Sequence, residues 1–342
     1  MSASLKSIAQ QTNLSVRTVA YILNTDRAKL FRPETRQRVV AAAAELGYRP
    51  NSAAKAMRTG RFDAVGLLQA TRPDRGLLST FTLAAIEDEL LQRDQRLVMS
   101  MVPDSLLEAD GRLPRILREW SVDGLMVAYN AGAPEGLTSY LDQEQLPAIW
   151  LNTKRKTNAV YPDDLGGARD VTSRLIQLGH RKIGYLQFFP TSAQSHYSVG
   201  DRFQGYVSMM REAGAAPISL VSERFVNTSD RIDYVRAFLD SRDRPTAIVA
   251  YGGPDHVLPA LLAARDLGLV LGRDLSLVGF NDGKMGDSGV QVATMGIPTY
   301  RVGQEAAWLL NKRIESSERK ALESIVVKPD FYPGQTFGPP VR

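Results

Sequence analysis

From Ala64 onward, short apolar runs alternate with amphipathic stretches, and this alternation constrains the fold more than any other feature of the chain. Runs suited to buried strands lie at 64–68, 97–101, 124–128, 148–151, 182–186, 247–250 and 275–280. Helical periodicity predicts helices over 81–92, 167–178, 202–213, 230–239 and 257–267, with a further one over 303–315. Such alternation builds parallel sheets, because each crossover helix must cover a sheet face. One series runs before Pro162 and one after it, which predicts two doubly wound parallel-sheet lobes with a crevice between them. A ligand in such a fold sits outside the carboxyl ends of the strands.

The first sixth of the chain has a different texture. Ser4 can cap a helix carrying Leu5, Ile8 and Ala9; Asn13-Leu14 breaks the pattern, and Ser15 can cap a second helix carrying Val16, Val19, Ala20, Ile22 and Leu23. A third helix starts at Pro33, places Val39, Val40, Ala43 and Leu46 on one face, and ends at Gly47. Residues 51–60 can be helical, but their small and charged side chains predict a linker at most marginally helical until something docks against it.

Charge separates the two parts. The chain of 342 residues has a net charge of +5, yet residues 1–60 hold ten lysines and arginines against three acids, and the remainder holds 32 against 34. A compact basic module beside a near-neutral body fits a polyanion, since each phosphate neutralised releases condensed counterions. No cysteine is present, which excludes disulfides, thiolate metal sites and cysteine nucleophiles. The three histidines are widely spaced with no H-E-x-x-H, so neither a metal nor another cofactor is expected, and His180 reads as structural. No G-x-G-x-x-G, P-loop or G-x-S-x-G points to an enzyme. No apolar run approaches the roughly 18 residues that span a bilayer, and the opening residues show no secretory h-region, so no membrane partner is expected.

The pair of helices at 5–24 has the layout of a helix-turn-helix, whose second helix presents its first residues to base edges in the major groove. Arg17 and Tyr21 stand one turn apart beside Val16. Arg17 can give two parallel hydrogen bonds to guanine, while Val16 or Tyr21 can pack on a thymine methyl. Ser15, Thr18 and Asn24 suit phosphate contacts that set register.

The stretches Pro33-Glu34-Thr35-Arg36, Glu45-Leu46-Gly47-Tyr48-Arg49-Pro50-Asn51 and Met57-Arg58-Thr59-Gly60 resemble the head and hinge of the lactose/galactose repressor family. The resemblance continues through Val122-Asp123-Gly124-Leu125, Leu178-Gly179-His180-Arg181-Lys182-Ile183, Arg202 with Gly205-Tyr206, and the run from Asp274 to Asp282. It implies an all-α helix-turn-helix head (1–48), a hinge helix (49–60) and an α/β, periplasmic-binding-protein-like body (61–342). The first lobe would hold about 61–161 and 294–323, the second about 162–293 and 324–342. It also implies a cytoplasmic, nucleoid-associated homodimer on a pseudo-palindromic double-stranded DNA operator, most often a repressor. Asn51, Ala53 and Met57 would serve the hinge, with Met57 where the family inserts a leucine into the minor groove.

For the body, the resemblance implies a small-molecule effector, a sugar or sugar derivative, held by Arg202. Two positions depart from the family: Asp163-Asp164 stands where Asp-Asn is usual, and Asn281 where an aspartate grips a hydroxyl. Asp255 is a candidate substitute for a missing Asn-Asp pair, and Tyr129, Phe225 and Trp150 are aromatics able to stack on a ligand, although each reads first as a core aromatic. The alternatives are a solute-binding protein of an uptake system, which the basic head disfavours, and an α/β enzyme. The family's tetrameric members end in a heptad helix that Phe331-Tyr332-Pro333-Gly334 and Gly338-Pro339-Pro340 cannot form, so a dimer is expected.

Overall fold

The computed structural model describes residues 4–24, 26–71, 78–103, 115–119, 121–129, 133–144, 146–188, 195–222, 227–283, 289–316 and 320–341 (the side chains of 24, 26, 27, 52, 53 and 115 excepted). The chain divides between Asp63 and Ala64 into two compact units.

The first unit is all helical: α1 (Leu5–Thr12), α2 (Val16–Asn24), a 3-10 turn (Asp26–Leu30), α3 (Pro33–Glu45) and α4 (Ser52–Thr59). Ser4 and Ser7 cap α1 reciprocally. Asn13 turns the chain in the left-handed region (φ 52°), after which Ser15 Oγ accepts the Thr18 N–H at 3.0 Å and starts α2. Gly47 (φ 64°) ends α3, and the next N–H, of Tyr48, reaches back to the Ala43 carbonyl at 2.8 Å. Ile8, Ala9, Val19, Ile22, Val39, Ala42 and Ala43 form one small core. The stretch read as a linker is helical as α4. Asn51 Oδ1 caps it through the Ala54 N–H (3.2 Å), and Lys55 pairs with Asp63 at 2.6 Å.

The second unit holds two six-stranded sheets. In the first, β1 (Ala64–Ala70), β2 (Arg96–Val102), β3 (Gly124–Ala128), β4 (Ala148–Leu151), β5 (Ala159–Pro162) and β11 (Ile325–Val327) lie in the order 11-5-4-3-1-2, all parallel. In the second, β6 (Ile183–Gln187), β7 (Ile218–Val221), β8 (Ala247–Ala250), β9 (Ser276–Asn281), β10 (Ala293–Gly296) and β12 (Asp330–Tyr332) lie in the order 12-10-9-8-6-7, with only β12 antiparallel. The central strands β1, β3, β6, β8 and β9 are buried almost throughout, as strands covered on both faces must be.

Helices α5 (Thr80–Leu91), α6 (Arg115–Arg118), α7 (Glu135–Glu144) and α12 (Thr299–Glu315) belong to the first lobe. Helices α8 (Asp164–Gln177), α9 (Tyr197–Glu212), α10 (Thr228–Leu239) and α11 (Pro254–Asp266) belong to the second. The sequence expected one crossing between lobes near 294 and another near 324. The strands correct both: β10 pairs with β9 in the second sheet, so the chain leaves that lobe only after Gly296, and β11 pairs with β5 in the first, so the last crossing falls between Val327 and Asp330. Backbone bonds tie these crossings to their neighbours, Asp163 N–H to Val327 O (2.9 Å) and Ile297 N–H to Asn281 O (2.8 Å). Beyond β12 the tail lies on the second lobe: Thr336 exchanges bonds with Leu277, and His180 is fixed between Thr246 Oγ1 (2.8 Å) and Gly338 O (2.9 Å).

Glycines set two close helix contacts. A Cβ on Gly205 of α9 would meet Leu165 O at 2.5 Å, and one on Gly303 of α12 would meet Thr82 O at 2.4 Å. Gly200, also in α9, faces open space. Alanine at 205 or 303 is therefore expected to destabilise the body by about 1–3 kcal/mol through overpacking. Alanine at 200 is expected to stabilise it by up to about 1 kcal/mol through helix propensity. Urea unfolding of the three variants checks both signs.

Candidate functional site

On the first unit, the residues expected to read DNA fall at the start of α2. Its apolar stripe turns Val19 and Ile22 inward and leaves Val16 (45% exposed) and Arg17 outward. Arg17 Nε donates to the Tyr21 hydroxyl at 3.0 Å, with the guanidinium 5.4 Å from that ring's centre. Ser15 is exposed and Thr18 half-buried, their hydroxyls 2.8 Å apart. Asn24 ends α2 and Ala53 lies in the first turn of α4, but their side chains lie outside the described ones. Met57, on α4, is 91% exposed, unusual for a large apolar side chain.

In the second unit a cavity of about 310 Å³ opens between the lobes. It is lined by residues that follow carboxyl ends of strands in both sheets: Leu78, Ser79 and Thr82 after β1, Asn152 after β4, Arg202 after β6, Tyr251 after β8, Asn281 and Asp282 at the end of β9, Thr299 after β10. The doubly wound topology puts a crevice there, because strands on either side of the switch point send their connections to opposite faces.

Arg202 is buried at the cavity floor. Its Nε and Nη2 both lie 2.6 Å from Asp164 Oδ1, and Nη1 donates to Tyr251 O at 2.6 Å. Phe280 and Tyr251 lie over the guanidinium at 4.3 and 4.8 Å. Burial alone would lower the guanidinium's pKa, but the Asp164 carboxylate outweighs it and holds the group above its ordinary value. The preceding Asp163 caps α8 through the Gly166 N–H (2.9 Å), which fixes Asp164 in the first turn, facing α9.

His196 Nε2 donates to the Asn152 carbonyl at 2.8 Å, which leaves Nδ1 as an acceptor for Ser198 Oγ at 2.7 Å. Ser198 Oγ in turn accepts from the Tyr251 hydroxyl at 2.8 Å. Burial lowers the His196 pKa and keeps the ring neutral. This bond joins the second lobe to the first, as does the Lys154–Asp201 pair at 2.6 Å. Asn281 lines the cavity, donating to Gly283 O at 3.3 Å, and its Oδ1 occupies the space that a Cβ on Gly253 would need.

Two of the sequence expectations, Tyr129 and Asp255 as cavity residues, are corrected here, and Trp150 takes the core place of its first reading. Tyr129 points into the first-lobe interior, 1% exposed, with its hydroxyl on Val102 O at 3.0 Å. Trp150 is buried beneath Arg155, 4.5 Å from its ring centre. Asp255 lies exposed in the first turn of α11, away from the cavity lining. Phe225 lies outside the described residues. Sequence reasoning missed Asp164 as a cavity group, together with His196, Ser198, Tyr251 and Asn152. The Asp163-Asp164 doublet was the only visible signal, and adjacency alone did not separate a helix cap from a cavity carboxylate. Among the described residues no cluster of three or more metal-ligating side chains occurs, and no helix is long and apolar enough to cross a membrane.

Residues 4–51 match the family of bacterial regulatory proteins of the lacI type, and residues 172–337 match a periplasmic binding protein-like domain. The chain belongs to the LacI family. This LacI-family chain is 27% identical over 326 residues to the HTH-type transcriptional regulator RegA of Clostridium saccharobutylicum, covering 93% of this chain and 94% of the relative. It is 26% identical over 334 residues to the HTH-type transcriptional repressor PurR of Klebsiella pneumoniae subsp. pneumoniae, covering 96% and 94%. Its fold matches the lac repressor dimer bound to operator and the anti-inducer ONPF, with a TM-score of 0.77 at 22% identity over 98% of this chain and 99% of that one. It also matches the transcriptional regulator CelR in complex with cellobiose, with a TM-score of 0.65 at 24% identity over 98% and 99%. The LacI-family regulator is thus a helix-turn-helix head on a two-lobed binding-protein body.

Burial gives this regulator a pH-sensitive core. His256, 4% exposed and stacked on Phe188, has its pKa lowered to about 4 by burial and then by Arg231 and Arg202. Its contribution to stability is complete above about pH 6.5 and is lost as pH falls through about 4. Between those limits the wild type is expected to lose about 3 kcal/mol more than His256→Phe, which cannot titrate. Urea unfolding at stepped pH measures the difference.

Proposed function

We propose that this LacI-family chain is a homodimeric cytoplasmic repressor whose grip on a two-fold symmetric operator is set by a polyhydroxylated small molecule bound between its lobes. The observation that carries the reading is the pairing, in one chain, of an exposed Val16-Arg17-Tyr21 edge on a capped helix with a polar crevice at the strand ends. Arg17 reads a guanine; its bond to Tyr21 holds the fork in place, so Tyr21 acts partly through Arg17. Ser15, Thr18 and Asn24 set register on phosphates, and Asn51 and Ala53 bring the hinge helix to the DNA. Met57, apolar and exposed, wedges into a minor-groove step.

Dimerisation uses the outer face of the first lobe, where Phe81 and Leu91 on α5 and Met99 and Met101 on the edge strand β2 are at least half exposed. Arg202, Asp164 and Asn281 hold the effector. In support, the solved CelR complex holds cellobiose, and a LacI-family regulator from Enterococcus faecium of the same fold (TM-score 0.62, 20% identity, 81% of this chain and 99% of that one) holds ribose.

Operator binding tests the head and hinge. Arg17→Ala is expected to weaken the selected site about 10- to 100-fold and to relax preference at one base pair per half-site. Met57→Ala is expected to reduce specific binding more than non-specific binding. Unchanged base preference, or equal losses on both DNAs, would remove the residue concerned from its role.

A further inference from the structure

We infer that Met57 is an oxidative modification site. Hypochlorous acid converts its thioether to the sulfoxide while the protein is off its operator, and the sulfoxide then keeps the hinge helix from seating on the DNA. The inference rests on the reading of Met57 as a minor-groove wedge and adds a chemical control to it.

The chain has no cysteine, so its nine methionines hold all the sulfur that an oxidant can reach. Burial sorts the described ones. Met126, Met210 and Met295 lie inside the lobe cores, and Met209 is half-buried. Met99 and Met101, on the edge strand β2, are about half exposed and belong to the face proposed to pair in the dimer. Met57 stands apart at 91%.

That exposure belongs to a formed helix and not to a frayed end. Asn51 caps α4 through the Ala54 N–H, Lys55 is held by Asp63, and the Thr59 hydroxyl donates to Lys55 O at 2.9 Å. Ala56 is buried, and one residue further on, about 100° round the helix, Met57 turns outward.

The chemistry balances with one oxidant. The sulfur lone pair takes chlorine from hypochlorous acid, hydroxide leaves, and water then displaces chloride at sulfur. One thioether and one hypochlorous acid become one sulfoxide, one chloride and one proton, with sulfur losing the electron pair that chlorine gains. The product is polar where the thioether was apolar, and sulfoxide reductases return it to the thioether with thiols as reductant. A wedge between stacked bases must be apolar, because the base faces offer the sulfoxide oxygen no donor in place of the water it gives up. On the operator the inserted sulfur is covered, so oxidation acts on the free protein.

The full-length protein, free or on a symmetric site selected from random sequence, is titrated with hypochlorite. Peptide mass spectrometry follows each methionine, and affinities for the selected site and for unrelated DNA are measured after quenching. Met57 is expected to convert before Met99 and Met101, and the selected DNA to suppress its conversion. Protein oxidised at Met57 is expected to bind the selected site at least about tenfold more weakly, with little change on unrelated DNA. Sulfoxide reductase with dithiothreitol is expected to restore that affinity. Met57→Leu, apolar and without sulfur, is expected to keep its affinity under the same treatment, and Met57→Gln to show the loss untreated. Earlier conversion of Met99 or Met101, an equal loss in Met57→Leu, or unchanged affinity with Met57 fully converted would overturn the inference. The wedge has its own readout, Met57→Ala without oxidant. A specific loss there, with none on oxidation, overturns the inference alone. No loss there, with a Met57-dependent loss on oxidation, overturns the wedge reading alone.

Discussion

The buried pair of Arg202 and Asp164 governs how the crevice is built. Asp164 opens α8 just after the chain crosses from the first lobe, Arg202 sits in the second turn of α9, and Tyr251 O closes the end of β8. One guanidinium thus joins three elements of the second lobe at the mouth facing the first. Removing one partner of such a pair strands a buried charge, at a cost of about 3–5 kcal/mol, so the two residues constrain each other. Asp163 reinforces the geometry from the adjacent position by capping α8, which leaves its neighbour no freedom to turn away.

Around this pair the two lobes meet through few polar ties. His196 reaches the Asn152 carbonyl, the Tyr197 hydroxyl donates to Pro162 O at 3.1 Å, Lys154 reaches Asp201, and three chain crossings add to these. A molecule that fills the cavity touches Ser79 and Thr82 on one side and Asp164 and Asn281 on the other. Under the proposed function it acts by binding one lobe arrangement better than another, since only a difference in affinity can shift a conformational equilibrium. Under the same proposal the head contributes the opposite kind of interaction, exposed, cationic and salt-sensitive, with Arg17 held ready by its bond to Tyr21.

The fold was legible because its strands are buried on both faces and so read as apolar runs. Ala148–Leu151 and Ala247–Ala250 fall where the runs placed them. Of the strands that escaped, Ile218–Val221, Ile325–Val327 and Asp330–Tyr332 are short outer strands whose half-exposed residues carry no clear period, whereas Ala159–Pro162 and Ala293–Gly296 are buried but only four residues long. The lobe boundaries at Gly296 and Val327 escaped with them, because sheet membership is decided by pairing and not by local pattern. At the site, Arg202 and Asn281 were found by family position, whereas Tyr129, Trp150 and Asp255 were chosen for chemistry without knowledge of which face they take. Asp164 was visible as a residue but not as a partner. Its role depends on a contact 38 positions away, across a helix pair that no short window contains.

The central claim is that a basic reading head and a ligand-closing body work as one regulator. The most direct test is the affinity of the full-length protein for symmetric DNA selected from random sequence, measured against salt with and without a bound polyol. The account predicts a strong sequence preference, affinity falling steeply as salt rises, and a shift in that affinity when the crevice is filled. Binding with no preference for any two-fold symmetric site, at any salt and with any ligand, would contradict it.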